Sequence, residues 1–259
     1  YGEREGAIIT SRGCAFDCAF CGGARSLNKD VTIRTRNEES VIREISEILA
    51  IYPDIQSIRI LDDLFLRNRS SVDMAYRIFS TFPQVKWRGM VHALSLVNSL
   101  DKIGKLRDCN CRELFMGIES GSNKIREKIN KLGTIDEILT VATGILRNGI
   151  DLKGYFIYGF PQETEDDYKR TFNLAQKLKE IADMSEGNFR TSVFQFRPYQ
   201  GTKLYSEIIE STGIIHECKV NQEISRFEGR TQFNFDFGNY SLTSDKVLNE
   251  YIIRTQEIG

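Results

Sequence analysis

Along the chain, short runs rich in β-branched and apolar residues alternate with longer stretches in which apolar positions recur every three or four residues. Roughly six such pairs precede a looser pattern near residue 205. The strand candidates are Ala7–Thr10, Ser57–Leu61, Trp87–Val91, Leu114–Ile118, Gly154–Tyr158 and Ser192–Phe196. Most read as apolar on both faces, as a sheet covered by helices requires. The alternation predicts a parallel α/β sheet.

Helix ends are written into the intervening stretches. Asn37 precedes Glu38 and Glu39, after which Val41, Ile42, Ile45, Ile48 and Leu49 fall on one stripe and Pro53 marks the exit. Thr134 and Glu137 have capping-box spacing ahead of Ile138, Val141, Ala142, Ile145 and Leu146, with Gly149 as the residue beyond the last turn. A further helix is expected from Thr164, with Glu165, Asp166 and Asp167 placed favourably in its first turn, continuing through Leu174, Leu178 and Ile181. Beyond residue 205, Phe227, Phe233, Phe235, Phe237 and Tyr240 crowd a stretch without period, and a helix is expected from Ser244 to Ile258. This divides the chain into a core over 1–205 and a C-terminal appendage over 206–259.

Composition narrows the reading. With 259 residues, 41% of them hydrophobic and 27% charged, the chain can bury one sizeable core. Thirty-five Lys and Arg against thirty-six Asp and Glu provide no global attraction for nucleic acid or anionic membrane. No apolar run approaches the roughly 20 residues of a membrane span, and the N-terminus has no basic n-region followed by an h-region. The expectation is a soluble, cytoplasmic protein. The first residue is Tyr1 and a strand begins almost at once, so a domain upstream of residue 1 is also expected.

Three of the six cysteines cluster. Cys14, Cys18 and Cys21 form a C-x3-C-x2-C run in a glycine-flanked loop directly after the first strand. Three thiolates leave one position open, which fits an iron–sulfur cluster with one iron free for another ligand, whereas closed structural zinc needs four ligands. No second two-cysteine knuckle exists; Cys109 and Cys111 have the wrong spacing, Cys218 stands alone, and all three read as ordinary buried thiols.

With Phe20 in its aromatic position, the run resembles the cluster loop of the radical S-adenosylmethionine (radical SAM) superfamily. Met116-Gly117-Ile118-Glu119-Ser120-Gly121-Ser122 and Gly154-Tyr155-Phe156-Ile157-Tyr158-Gly159-Phe160-Pro161-Gln162-Glu163-Thr164 look like that family's fourth- and fifth-strand motifs, and Phe196-Arg197-Pro198-Tyr199-Gln200-Gly201-Thr202 looks like the sixth. Together they span residues 7 to 205. The resemblance implies a partial (β/α)6 TIM-like barrel, open on one side, with a [4Fe–4S] cluster on Cys14, Cys18 and Cys21 at the C-terminal strand edge, where parallel barrels place active sites. It further implies that SAM chelates the open iron through its amino and carboxylate groups. One electron then cleaves the sulfonium, giving methionine and a 5′-deoxyadenosyl radical that abstracts hydrogen from a small organic substrate.

Further candidates follow from that resemblance. Asp62 and Asp63 end the second strand, where a carboxylate suits the SAM ammonium, or is simply a solvated strand end. Glu119 ends the fourth strand as an acid at an apolar exit and needs a partner; it resembles the residue that binds the polar part of SAM. Ser120 beside it reads as a cofactor contact or, more simply, a helix N-cap. Lys131, twelve residues on, is placed to face the SAM carboxylate, or is a surface lysine. His92 ends the third strand and faces the site. Phe20, Ile157 and Phe196 are candidates to flank adenine, and equally candidates for core. Arg197 and Tyr199 overlook the barrel mouth as candidate adenine or substrate contacts.

The strand motifs look most like the branch whose members often carry an N-terminal cobalamin domain. No Asp-x-His-x-x-Gly motif is present, and neither His92 nor His216 has that context, so cobalamin would enter through a domain outside this chain. The favoured reading is a radical SAM enzyme acting on a small molecule, by methyl transfer or rearrangement in natural-product or sugar metabolism, with a flavodoxin- or ferredoxin-like electron donor. No membrane or nucleic-acid partner is expected. The alternatives are an RNA-modifying methylthiotransferase-like or coproporphyrinogen-dehydrogenase-like enzyme, and, outside enzymes, an iron–sulfur electron carrier or scaffold.

Overall fold

Six strands pair in parallel in the order in which the chain makes them: β1 (Glu5–Ile8), β2 (Ser57–Ile60), β3 (Lys86–Val91), β4 (Cys111–Glu119), β5 (Asp151–Tyr158) and β6 (Phe189–Gln195). The computed structural model describes residues 3–30, 33–213, 215, 219–220, 235–236 and 238–259. Neighbouring parallel strands need crossover connections. Helices supply them: α1 (Glu38–Ile51), α2 (Arg69–Ser80), α3 (Ala93–Leu96) with α4 (Ile103–Asp108), α5 (Asn123–Lys128) with α6 (Ile135–Arg147), and α7 (Glu165–Asp183). The arrangement is the expected partial (β/α)6 barrel, with β1 and β6 at the edges of the sheet among the described residues.

Local chemistry sets the helix ends. Asn37, Thr134 and Thr164 accept hydrogen bonds from Ser40, Glu137 and Asp167 N–H, and the last two are reciprocal capping boxes. Gly149, beyond α6, takes a left-handed φ of 69°.

The sheet has two unlike faces. Ile58, Ile60, Trp87, Val91, Leu114, Met116, Ile118, Leu152, Phe156 and Phe189 join helix residues such as Val72, Phe79, Val141, Ile145, Leu174 and Leu178 in the main core. Trp87 is fully buried, stacked on Phe79 at 4.8 Å, and its indole N–H reaches Cys109 O at 2.8 Å. The other face carries Glu5, Arg59, Arg88, Glu113, Lys153 and Arg190. β4, β5 and β6 each begin three residues earlier than the apolar pattern predicts, because those first residues include Arg112, Glu113, Lys153 and Arg190. The expectation of strands apolar on both faces is corrected there.

A second apolar cluster of Ala19, Ile125, Ile129, Phe160, Phe196, Leu204 and Ile208 joins the cysteine loop to α5 and α8 (Lys203–Thr212). The last helix, α9 (Asp245–Gln256), packs on the core domain. Its Leu248, Tyr251 and Ile252 belong to the main core, and Thr255 bonds Tyr158 Oη at 2.7 Å. Burying an apolar stripe on β6 and α7 is what recruits it. His216, Cys218, Phe227, Phe233 and Phe237, and the side chain of Phe235, lie outside the described residues. No helix among the described residues is long and apolar enough to cross a membrane.

Candidate active site

The cysteine loop begins where β1 meets the end of β2. Asp62 is buried and accepts from Thr10 N, Thr10 Oγ1 and Ser11 Oγ, each at 2.6 Å. Its carboxylate is therefore committed to fixing the chain just before the loop. Asp63 points the other way. It is exposed, accepts from Gly13 N at 3.2 Å, and lies beside Gly23, whose own N–H points at Cys21 Sγ at 3.3 Å.

Three backbone and amide bonds hold the loop over the strand ends. Ala19 N donates to Ile129 O at 2.8 Å, Leu204 N to Ala19 O at 3.0 Å, and Asn130 Nδ2 to Asp17 O at 2.6 Å. The two positions around Cys18 are thereby tied to the end of α5 and the start of α8. Burial pushes the Cys18 thiol up to about 11 and raises that of Cys21, while the Lys131 charge draws both down.

Glu119 and Lys131 meet beside these thiols. The β4–β5 register slips between Gly117 and Glu119, and Glu119 takes a left-handed φ of 64°. Such a bulge re-aims one side chain at a strand end. Glu119 Oε1 accepts from Lys131 Nζ at 3.0 Å, and both side chains are more than nine-tenths buried. A Cβ at Gly117 would overlap Glu119 Oε1 and come within 2.9 Å of Lys131 Nζ, so the glycine is what lets the pair lie on the sheet.

Arg126 supports both partners and was not marked by the sequence pattern. It is buried and donates to Ile118 O at 2.6 Å, to Ser120 O at 3.4 Å, and to Leu132 O and Gly133 O at 3.1 and 2.9 Å. Its guanidinium thus clamps the exit of β4 to the turn after Lys131. Desolvation lowers its affinity for a proton and the Glu119 charge raises it. From sequence alone, Arg126 resembles any cation in the last turn of a helix.

His92 follows β3. Its Nδ1 accepts from Leu94 N at 3.2 Å, capping α3, and its ring stacks on Phe16 of the cysteine loop with centroids 4.0 Å apart. Nε2 is buried without a partner among the described residues. Burial, then the charges of Lys131 and Arg126, lower the imidazole to about 3, so it is neutral and, with Nδ1 accepting, carries its hydrogen on Nε2.

The remaining candidates divide. Ser120 is not a helix cap: Ser122 caps α5, while the buried Ser120 Oγ meets Thr171 Oγ1 of α7 at 3.2 Å. Phe196 is core, in contact with Phe160 at 5.0 Å, whereas Phe20 and Ile157 are half-buried at the edge of the same cluster. Arg197 lies over the Tyr199 ring at 4.8 Å, both exposed beyond β6. Glu163 was missed as well. Fully buried, it accepts from Gly159 N and Phe160 N at 2.8 and 2.9 Å, holding the turn after β5. The turn is marked in the sequence by Gly159, which takes a left-handed φ of 94°.

A sequence model of the radical SAM superfamily matches residues 8–175, from β1 and the cysteine loop into α7. The chain belongs to that superfamily. This radical SAM chain is 33% identical over 207 residues to an uncharacterised methyltransferase of Pyrococcus horikoshii, a match covering 79% of this chain and 42% of that protein. It is 26% identical over 239 residues to a tRNA-2-methylthio-N(6)-dimethylallyladenosine synthase of Buchnera aphidicola, covering 85% and 51%. Among solved structures, the radical SAM methyltransferase TsrM of Kitasatospora setae superposes with a TM-score of 0.72 at 14% identity, covering 98% of this chain and 52% of that one. The chain spans about half the length of the relatives it matches.

Radical SAM enzymes use a [4Fe–4S] cluster and SAM, and the donor set here fits them. Among the described residues no group of three or more His, Cys, Asp or Glu is placed to hold a single metal ion. The three thiols nonetheless feel one another electrostatically. In a cubane cluster each thiolate binds a different iron, so the sulfurs need not converge on one point. The buried His92 Nε2 and the buried Glu119–Lys131 ion pair are the polar groups that surround this loop.

Proposed function

We propose that this chain is the SAM-cleaving core of an enzyme that modifies a small organic substrate, with methyl transfer as the favoured reaction. The observation that carries it is the juxtaposition of the cysteine loop with the buried Glu119–Lys131 pair at the end of β4. When bound, the cluster and SAM supply one-electron cleavage of the sulfonium and the resulting 5′-deoxyadenosyl radical. Cys14, Cys18 and Cys21 hold the cluster. Glu119 and Asp63 bind the ammonium end of SAM, Lys131 its carboxylate, and His92 donates its Nε2 hydrogen into the same site. Phe20 and Ile157 line the adenine side, and Asp62, Ser120 and Phe196 act one step behind as positioning residues. Arg197 and Tyr199 face the substrate.

Methyl transfer is favoured because the Pyrococcus relative is named a methyltransferase and TsrM is one, also solved with cobalamin and a [4Fe–4S] cluster. In this reading residues 1–205 carry SAM cleavage, and an α/β domain before residue 1 brings cobalamin over the barrel mouth. The resemblance to tRNA methylthio synthases supports a second reading, with an RNA base as substrate. Anaerobic reconstitution followed by dithionite reduction and mass spectrometry tests the proposal. 5′-Deoxyadenosine is expected, with SAM affinity lost in Glu119→Ala at unchanged iron content. A fully loaded protein that yields none is an electron carrier.

A further inference from the structure

Below the Glu119–Lys131 pair, the helix-free face of the sheet carries a layer of charge. Arg88 donates Nη2 to Glu5 Oε2 at 2.6 Å and Nη1 to Glu113 Oε2 at 3.3 Å. Arg190 donates Nη2 to Glu113 Oε2 at 2.7 Å while its Nε takes the other oxygen. Glu113 is fully buried between the two arginines. Both carboxylates of the layer are therefore engaged.

Arg59 is the exception. It lies opposite Arg88 in the β2–β3 register, and among the described residues it has no carboxylate partner. Its guanidinium rests over the Phe115 ring at 5.5 Å, and its Nε is buried without an acceptor. Phe115, Tyr155 and Phe194 continue from there as an aromatic floor, with centroids 6.2 and 5.9 Å apart. Burial pushes the Tyr155 phenol up, and the charges of Arg59, Arg190 and Arg88 pull it back. Tyr155 is paired in register with Gly117, and Phe115 is one pleat repeat, about 7 Å, below Gly117 along β4. The aromatic floor thus begins directly under the SAM-binding candidates.

A desolvated guanidinium nitrogen without an acceptor is costly, and a bidentate oxyanion is the ligand that relieves it. We propose that Arg59 anchors an oxyanion, carboxylate or phosphate, on the organic substrate, whose body lies on the Phe115–Tyr155–Phe194 floor. The inference deepens the small-substrate reading and rests on it. It assigns the substrate a negative charge at the Phe115 end of the floor.

The test uses the cluster-loaded chain with two probes, benzoate and inorganic pyrophosphate, titrated calorimetrically. Saturable binding of at least one is expected, weakened about tenfold or more in Arg59→Gln and unchanged in Arg12→Gln, an exposed residue between β1 and the cysteine loop, outside the floor. Arg59→Lys keeps the charge without the fork, and its intermediate affinity guards against a folding defect in Arg59→Gln. Preference for benzoate assigns a carboxylate, preference for pyrophosphate a phosphate. Absence of saturable binding in the wild type, equal binding by Arg59→Gln, or an equal loss of SAM affinity in Arg59→Gln overturns the proposal. Arg59-dependent probe binding in a chain that does not cleave SAM leaves this subsite standing and removes the SAM-cleaving function instead.

Discussion

Lys131 Nζ lies 3.0 Å from Glu119 Oε1, with both side chains almost wholly removed from water and resting on Gly117. Removing one partner leaves the other charge buried and uncompensated, which costs about 3 kcal/mol or more, whereas replacing both costs much less. In urea denaturation Glu119→Gln and Lys131→Met are each expected to be less stable than the double variant. Additive losses would show that the two side chains do not act as a pair.

The five described cysteines should separate by metal content. Cys109 and Cys111 are buried in the main core, and burial raises both thiols. They lie away from the cysteine loop, which packs in the second apolar cluster, and Cys109 Sγ is turned to Leu106 O at 3.4 Å. Cys14→Ala, Cys18→Ala and Cys21→Ala should each lose most of the iron and sulfide bound after reconstitution. Cys109→Ala should keep it. A wild-type iron content in any of the first three variants would move the cluster elsewhere.

Much of this was legible before the structure. The capping box at Thr134, the helix start at Thr164 and the cysteine loop carry local signals that depend on residue spacing, and the barrel followed from the resemblance to the radical SAM superfamily. Other features depend on the fold and leave no such trace. Asp62 and Asp63 are equivalent in sequence, yet the first is consumed by Thr10 and Ser11 and only the second faces the loop. Ser120 and Ser122 are both plausible caps, and the bulge at Glu119 decides between them by turning Ser120 towards Thr171. The starts of β4, β5 and β6 were hidden because a charged inner face breaks the apolar run. Arg126 was invisible because its partners are carbonyls, which have no sequence signature.

His92 should matter as a neutral donor and not as a titrating group. Its Nε2 hydrogen has no acceptor among the described residues, while burial and the neighbouring cations keep the ring uncharged. His92→Leu is expected to weaken SAM binding several-fold, roughly the worth of one hydrogen bond. His92→Gln, which can also donate, should recover part of it. Between pH 6 and 8 the wild-type affinity should show no inflection from this residue. A midpoint near 6.5 that disappears in His92→Leu would mean the ring is exposed to solvent and the site is built differently.

Glu163 should make the fold less stable as pH rises. Its burial raises the carboxyl to about 8 against an ordinary value of 4.5, only partly offset by the N–H groups of Phe160 and Gly159. Between those two values the folded chain holds a proton that the unfolded chain has released. Stability linked to this group is therefore complete below about pH 4.5 and is lost as pH climbs through 8, with a slope of up to about 1.4 kcal/mol per pH unit. Glu163→Gln keeps a carbonyl oxygen for the two backbone donors and has no proton to lose. Urea midpoints measured from pH 5.5 to 8.5 should fall for the wild type relative to this variant, whatever the offset between them at the acid end. A difference that stays constant, or grows in favour of the wild type at high pH, would show that the carboxylate is ionised in the native turn and that the orphaned Oε1 has found a donor.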